Sequence, residues 1–262
     1  MSLLEALFLG ALQGVTEFLP VSSSGHLVIA REFMDIRDIP LIFDVLLHIS
    51  TLLVVILVFR TTILRLLISF GRLLTGKETD TEDRGTILAI LIATLLTGII
   101  GIAIESFSPG EHPRLTGALF CLTGLILILP RWFSRQETDA TPGFKTGLIV
   151  GIAQGLGVFP GISRAGITIT ASQGAGLSRE RSGEFAFLVS IPAILGALIL
   201  TLKDFEAMSG QVSMTTLAGG LISSFAVGLV SLLFLLKLVR RGRLYYFSFY
   251  LIPLGVITLL IV

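Results

Sequence analysis

The sequence predicts an all-α polytopic membrane protein built as an inverted-topology repeat. Each half would contribute one re-entrant broken helical element and three transmembrane helices. Three observations carry this. Apolar residues make up 53% of the 262 positions and charged ones only 14%, with a mean hydropathy of +0.93, where a soluble domain carries about 25% charged residues. Six apolar stretches have the roughly 20-residue length that a helix needs to cross the hydrocarbon core. Two further apolar stretches are interrupted by Gly, Pro and Ser, and they resemble each other.

Taken in order, the N-terminal run MSLLEALFLGALQG has no basic region ahead of it and reads as retained structure, not as a cleaved leader. It opens the first broken stretch, 3–31, which contains QGVTEFLPVSSSGHL at 13–27. Clean spans follow at 41–59, 86–104 and 115–130. The second broken stretch is 146–178, and clean spans return at 184–202, 214–236 and 245–262. The whole chain, 1–262, is expected to form one integral membrane domain, with repeat 1 at about 1–130 and repeat 2 at about 146–262.

Basic residues orient the spans, because short cytoplasmic loops collect Lys and Arg. The segment 60–84, the segment 131–145, Arg179 with Arg181, and the cluster Lys237, Arg240, Arg241 and Arg243 together hold 14 of the 19 basic residues on one side. The other side has Arg31, Arg37, Arg114 and Lys203 among Glu32, Asp35, Asp38, Glu105, Glu111, Asp204 and Glu206. With these sides fixed, the first broken stretch enters from outside and the second from inside. LQGVTEFLPVSSSG and AQGLGVFPGISRAG then occupy matching places in oppositely oriented halves. The net charge of +1 gives no reason to expect nucleic acid, and the single Cys121 excludes an internal disulfide. Trp132, beside Arg131, reads as an interfacial anchor.

The chemistry is concentrated in the broken stretches. Irregular backbone at membrane depth persists only where protein or a watery cavity satisfies it, and ionisable groups there are functional by default. The first motif supplies Glu17, Ser22, Ser23, Ser24 and His26, and the second supplies Ser163, Arg164, Thr168 and Thr170. Turns that open half-helices offer backbone N–H groups and a positive dipole end to an anion. Gly25, Gly161 and Gly166 let that backbone approach closely, and Arg164 adds a bidentate fork for phosphate oxygens. Ser23 and His26 are three apart, a spacing that suits a nucleophile and its general base. Glu17 could orient His26 or hold a divalent cation against phosphates. Plainer roles stand beside these. Ser22 and Ser24 also suit helix packing, Gln13 and Gln154 suit bonding of broken backbone, and Asp44 with His48 reads as an interhelical polar contact.

These residues resemble the signature regions of the undecaprenyl-diphosphatase family, the bacitracin-resistance type of polyprenyl diphosphate phosphatase. Gln13 and Glu17 fit its (Glu/Gln)-x-x-x-Glu pattern, followed by PVSSSGH; Pro160, Gly161, Ser163, Arg164, Gly166 and Thr168 fit Pro-Gly-x-Ser-Arg-x-Gly-x-Thr. FDVLLHISTLL (43–53) and EFAFLVSIPAILGA (184–197) look like further family segments, so the resemblance spans nearly the whole chain. It implies removal of the terminal phosphate from a long polyprenyl diphosphate, giving the monophosphate carrier lipid used again in cell-wall glycan synthesis. Glu17, Ser23, His26 and Arg164 would be catalytic, and Ser22, Gly25, Gly161, Ser163 and Thr168 would bind substrate. The resemblance also implies Mg²⁺ or Ca²⁺, with Glu17 the candidate ligand, and a site in the cell (inner) membrane that opens to the outer face. Membrane lipids are the expected surroundings and a homodimer is compatible. Gln13 takes the uncharged option, against a two-carboxylate clamp, and Ala165 stands where serine is usual. A lipid-phosphate flippase or secondary transporter is the main rival, because inverted repeats also build transporters. The acid-phosphatase-type lipid phosphatases require a His six residues after the motif Arg, where this chain has Thr170.

Overall fold

A computed structural model describes residues 1–34, 41–107, 112–133, 140–201 and 212–261. Glu111 and Asp204, with Asp35, Arg37, Asp38, Arg135, Lys203 and Glu206, lie outside the described residues. Every regular element among the described residues is helical. The first stretch forms α1 (Leu3–Phe18) and α2 (Ser23–Met34). Ser2 and Glu5 start α1 as a reciprocal capping box, with Ser2 N–H donating to Glu5 at 2.7 Å. Pro20 forces extended backbone on Leu19 and ends the helix. The second stretch forms α7 (Phe144–Leu156) and α8 (Arg164–Gly174), broken over 157–163.

The clean spans appear as α3 (Leu41–Val58), α5 (Thr81–Glu105), α6 (Pro113–Ile126), α9 (Arg179–Thr201), α10 (Met214–Arg240) and α11 (Ser248–Ile261). Short 3₁₀ turns extend α6 at Leu129–Arg131 and precede α11 at Leu244–Phe247. Among the described residues, five helical spans are long and apolar enough to cross a membrane, and a sixth is reached by counting α3 with its successor. That successor is α4 (Arg60–Leu74), bent 86° from α3. The sequence reading treated 60–84 as a basic connection, and here it differs from the structure. Ile63, Leu66, Leu67, Phe70 and Leu73 recur at helical spacing between Arg60, Arg65 and Arg72, the pattern of a helix lying along an interface. Ser69 donates to Asp83 at 2.6 Å and Arg65 pairs with the same carboxylate at 3.3 Å, which ties α4 to α5.

Large apolar side chains that a soluble protein would bury are exposed along the spans, among them Leu95, Ile99, Ile222, Val230 and Phe249. With lipid outside, small residues set the helix contacts. α1 packs on α10 and α7 on α5. A Cβ at Gly10 would overlap the Gly220 carbonyl, and one at Gly151 would lie 2.7 Å from Ala93 Cα. α3 packs on α9 and α6 on α11. Both breaks therefore rest on helices from the opposite half of the chain, and the two tips come together inside.

Candidate active site

Ser22 has φ +69°, the only positive φ at a non-glycine residue among the described ones, and Gly161 has φ +100°. These turns reverse the chain so that α2 and α8 begin at the tips. The Gly161 N–H donates to Ser22 Oγ at 3.0 Å and joins the two tips directly. Thr123 of α6 braces the second tip: its hydroxyl donates to the Gly161 carbonyl at 2.8 Å and accepts from Ser163 N–H at 3.2 Å. Ser163 Oγ caps α8 by accepting from Gly166 N–H at 3.1 Å. A Cβ at Gly25 would lie 2.8 Å from Gly161 N, so only glycine allows this approach.

The tips form a small, tight cleft lined by Thr16, Glu17, Ser22, Ser23, Ser24, Gly157, Ile162, Ser163 and Arg164. Glu17 Oε2 is its hub. Ser23 Oγ donates to it at 2.6 Å and Gln13 Nε2 at 3.1 Å, and His48 Nε2 lies 3.2 Å away. The Arg164 guanidinium also lines the cleft, and it has no hydrogen bond or ion pair among the described residues. Glu17 and Arg164 reappear at one end of an adjoining, mainly apolar cavity bounded by Phe18, Leu52, Val55 and Phe187.

The structure thus brings together Glu17, Ser22, Ser23, Ser163 and Arg164. It does not bring His26 onto Ser23. His26 Nδ1 bonds the Ser22 carbonyl at 2.8 Å, Nε2 meets the Tyr250 hydroxyl at 2.8 Å, and the ring stacks on Tyr250. Helical spacing put Ser23 and His26 on one face, but both ring nitrogens are occupied elsewhere, and the group bonded to Ser23 is the Glu17 carboxylate. Nor does Glu17 orient His26. Thr168 is turned into its own helix, where its hydroxyl donates to the Arg164 carbonyl at 2.7 Å. Gly25, Gly161 and Thr168 stand behind the cleft instead of lining it. Two residues were missed. His48 carried a signal in its four-residue spacing from Asp44, read there as an interhelical contact. Tyr250 sits in an apolar run with no local signal.

A resident Mg²⁺ or Ca²⁺ fits this donor set poorly. Hard cations take about six or more oxygens, whereas hydrogen-bond donors from Ser23 and Gln13 already converge on Glu17 Oε2. No group of three or more His, Cys, Asp or Glu among the described residues could hold a metal ion.

Comparison with known proteins agrees with this geometry. The sequence matches the family described as bacitracin resistance protein BacA over residues 6–257. It is 47% identical over 257 residues to a Treponema denticola protein named undecaprenyl-diphosphatase, covering 97% of this chain and 96% of that one. A Borrelia recurrentis protein of the same name is 40% identical, covering 96% of each chain. A third so named, from Desulforapulum autotrophicum, is 38% identical, covering 99% and 98%. With two broken helices converging on Ser23, Glu17 and Arg164, and a match over nearly its full length, the chain belongs to the bacitracin resistance protein BacA family.

Proposed function

We propose that this chain hydrolyses undecaprenyl diphosphate to the monophosphate carrier lipid and inorganic phosphate. One observation carries the reading: Arg164, with no side-chain hydrogen bond of its own among the described residues, shares a cleft with a serine bonded to a carboxylate at 2.6 Å. A guanidinium and two half-helix N-termini suit a diphosphate anion. The serine and carboxylate suit its chemistry.

In this mechanism Ser23 Oγ attacks the terminal phosphorus while its proton passes to Glu17 Oε2. The bond from phosphorus to the bridging oxygen breaks, and the lipid monophosphate departs. Arg164 and the backbone N–H groups at the starts of α2 and α8 stabilise the phosphoryl oxygens. Water then attacks the phosphoserine, yields inorganic phosphate and restores Ser23, with Glu17 taking up and returning protons. His26 contributes by holding the Ser22 turn, to which its Nδ1 is bonded. A divalent cation, where one takes part, arrives with the diphosphate, and no step here depends on it.

The reciprocal packing of α1 on α10, α7 on α5, α3 on α9 and α6 on α11 supports an inverted repeat with halves at about 1–130 and 146–262. The basic-residue asymmetry then supports a cell-membrane protein whose cleft opens to the outer face, the side from which α1 and α2 enter. A flippase on the same scaffold would use Arg164 but leave the Ser23–Glu17 pair idle.

The test is phosphate release from undecaprenyl diphosphate by the purified chain in detergent. The wild type turns over, and Arg164→Ala loses at least about a hundredfold in rate, roughly 3 kcal/mol of barrier, without loss of fold. Normal turnover by a well-folded Arg164→Ala variant would overturn the assignment.

A further inference from the structure

We infer that His48 is a positioning residue for this reaction, holding the Glu17 carboxylate against Ser23. The inference rests on the hydrolase reading above and adds a residue outside both polar motifs. Glu17 Oε2 receives groups from three helices: Gln13 from its own α1, Ser23 from α2 and His48 from α3. A glutamate side chain has several freely rotating bonds, and a base that must face one hydroxyl needs the others fixed. Gln13 and His48 supply that fixing from two further directions.

The contacts are graded in a way that suits this division. Ser23 Oγ comes closest, at 2.6 Å. His48 Nε2 lies 3.2 Å from the same oxygen but off the line of a well-formed hydrogen bond. Held as the imidazolium, with a hydrogen on each ring nitrogen, His48 restrains the carboxylate electrostatically and leaves the best-directed lone pair to the serine. The ring is itself held. Its Nδ1 donates to the Asp44 carbonyl at 2.8 Å, since that oxygen only accepts. The Asp44 side chain pairs with Arg31 of α2 at 2.6 Å. The helix that carries Ser23 is thus latched to the helix that carries His48, and both close on Glu17.

A merely structural histidine would join α3 to α1 and affect folding. A positioning histidine affects the chemical step, so kcat, KM and thermal stability separate the two roles. The experiment uses the full chain in detergent with undecaprenyl diphosphate, comparing wild type, His48→Leu and His48→Gln. His48→Leu should lower kcat by about a hundredfold with KM and thermal midpoint close to wild type, and His48→Gln, which keeps an N–H donor, should recover to within about tenfold of wild type. Should His48→Leu lack a thermal transition, His48→Met fills the same space without a donor and takes its place. Wild-type kcat in the folded donor-free variant, or equal impairment in His48→Gln, overturns the inference and leaves the hydrolase reading standing. A wild-type chain that releases no phosphate removes the hydrolase reading, and the inference with it.

Discussion

At the first break, Ser22 stands immediately before α2 and Ser23 is its first residue; at the second, Ser163 stands before α8 and Arg164 is its first residue. Gln13 matches Gln154 and Gly14 matches Gly155, while Glu17 is answered by Val158 and His26 by Ile167. The glutamines show how far the likeness goes. Gln13 donates to Glu17 at 3.1 Å, whereas Gln154, without a carboxylate four residues on, donates to Thr97 Oγ1 at 3.1 Å and the Val189 carbonyl at 3.3 Å. The two elements share their backbone and its supports, and they divide the chemistry. In the proposed mechanism attack and proton transfer belong to the first, while the second adds the Arg164 guanidinium that holds the anion between the two helix N-termini.

That division is broken most directly by comparing Ser23→Ala with Arg164→Ala. Both should abolish turnover, by about a hundredfold or more. They should differ in binding. Ser23→Ala keeps the guanidinium and the helix N-termini, so undecaprenyl diphosphate should still raise its thermal midpoint by ligand linkage. Arg164→Ala should show little such shift. Equal stabilisation of both variants by substrate would mean that the second element does not hold the anion.

A smaller effect sharpens the shared half of the comparison. Ser163→Ala removes one helix cap, worth about 1 kcal/mol. Ser22→Ala removes the corresponding interaction with Gly25 N–H, weaker at 3.4 Å, and also the bond from Gly161 N–H that joins the tips. A buried N–H left without its partner costs about 1–3 kcal/mol. Thermal unfolding in detergent should therefore rank Ser22→Ala as the more destabilised. The reverse order would mean that the tips are held together by the braces from Thr123 more than by each other.

Much of this was legible in the sequence, and the reason is the solvent. Lipid demands long apolar helices, so all six clean spans could be placed by composition, and both breaks by Pro20 and by the Gly-rich run at 155–161. Glu17, Ser23 and Arg164 were legible because ionisable and hydroxyl groups clustered at membrane depth need a purpose. Partners across space were not. The Ser23 to Glu17 bond depends on how sharply the chain turns at Ser22, and helical spacing alone pointed Ser23 to His26 instead. His48 and Tyr250 reach the region from α3 and α11, whose positions follow from packing between distant stretches of chain. The helical course of α4, bent 86° from α3, was hidden because its arginines also fit a cytoplasmic loop.

The smallest expected effect concerns His26, whose counterpart Ile167 has no polar role. The Ser22 carbonyl can only accept, so His26 Nδ1 carries a hydrogen, and the neutral ring's Nε2 accepts from the Tyr250 hydroxyl. Tyr250 is 49% exposed, so water can replace that hydroxyl in a Tyr250→Phe variant while the ring-stacking partner is retained. A single neutral hydrogen bond exchanged for water is worth about 1 kcal/mol, so kcat/KM should fall no more than about fivefold. Thermal stability should change little. If His26 instead exchanges protons with the substrate through Nε2, the tyrosine would form part of that route and Tyr250→Phe would fall by about a hundredfold or more. A loss of that size would return His26 to the chemistry and give the first broken helix a second acid–base group. A small loss leaves His26 as the support for the Ser22 turn and Glu17 as the only base acting on Ser23.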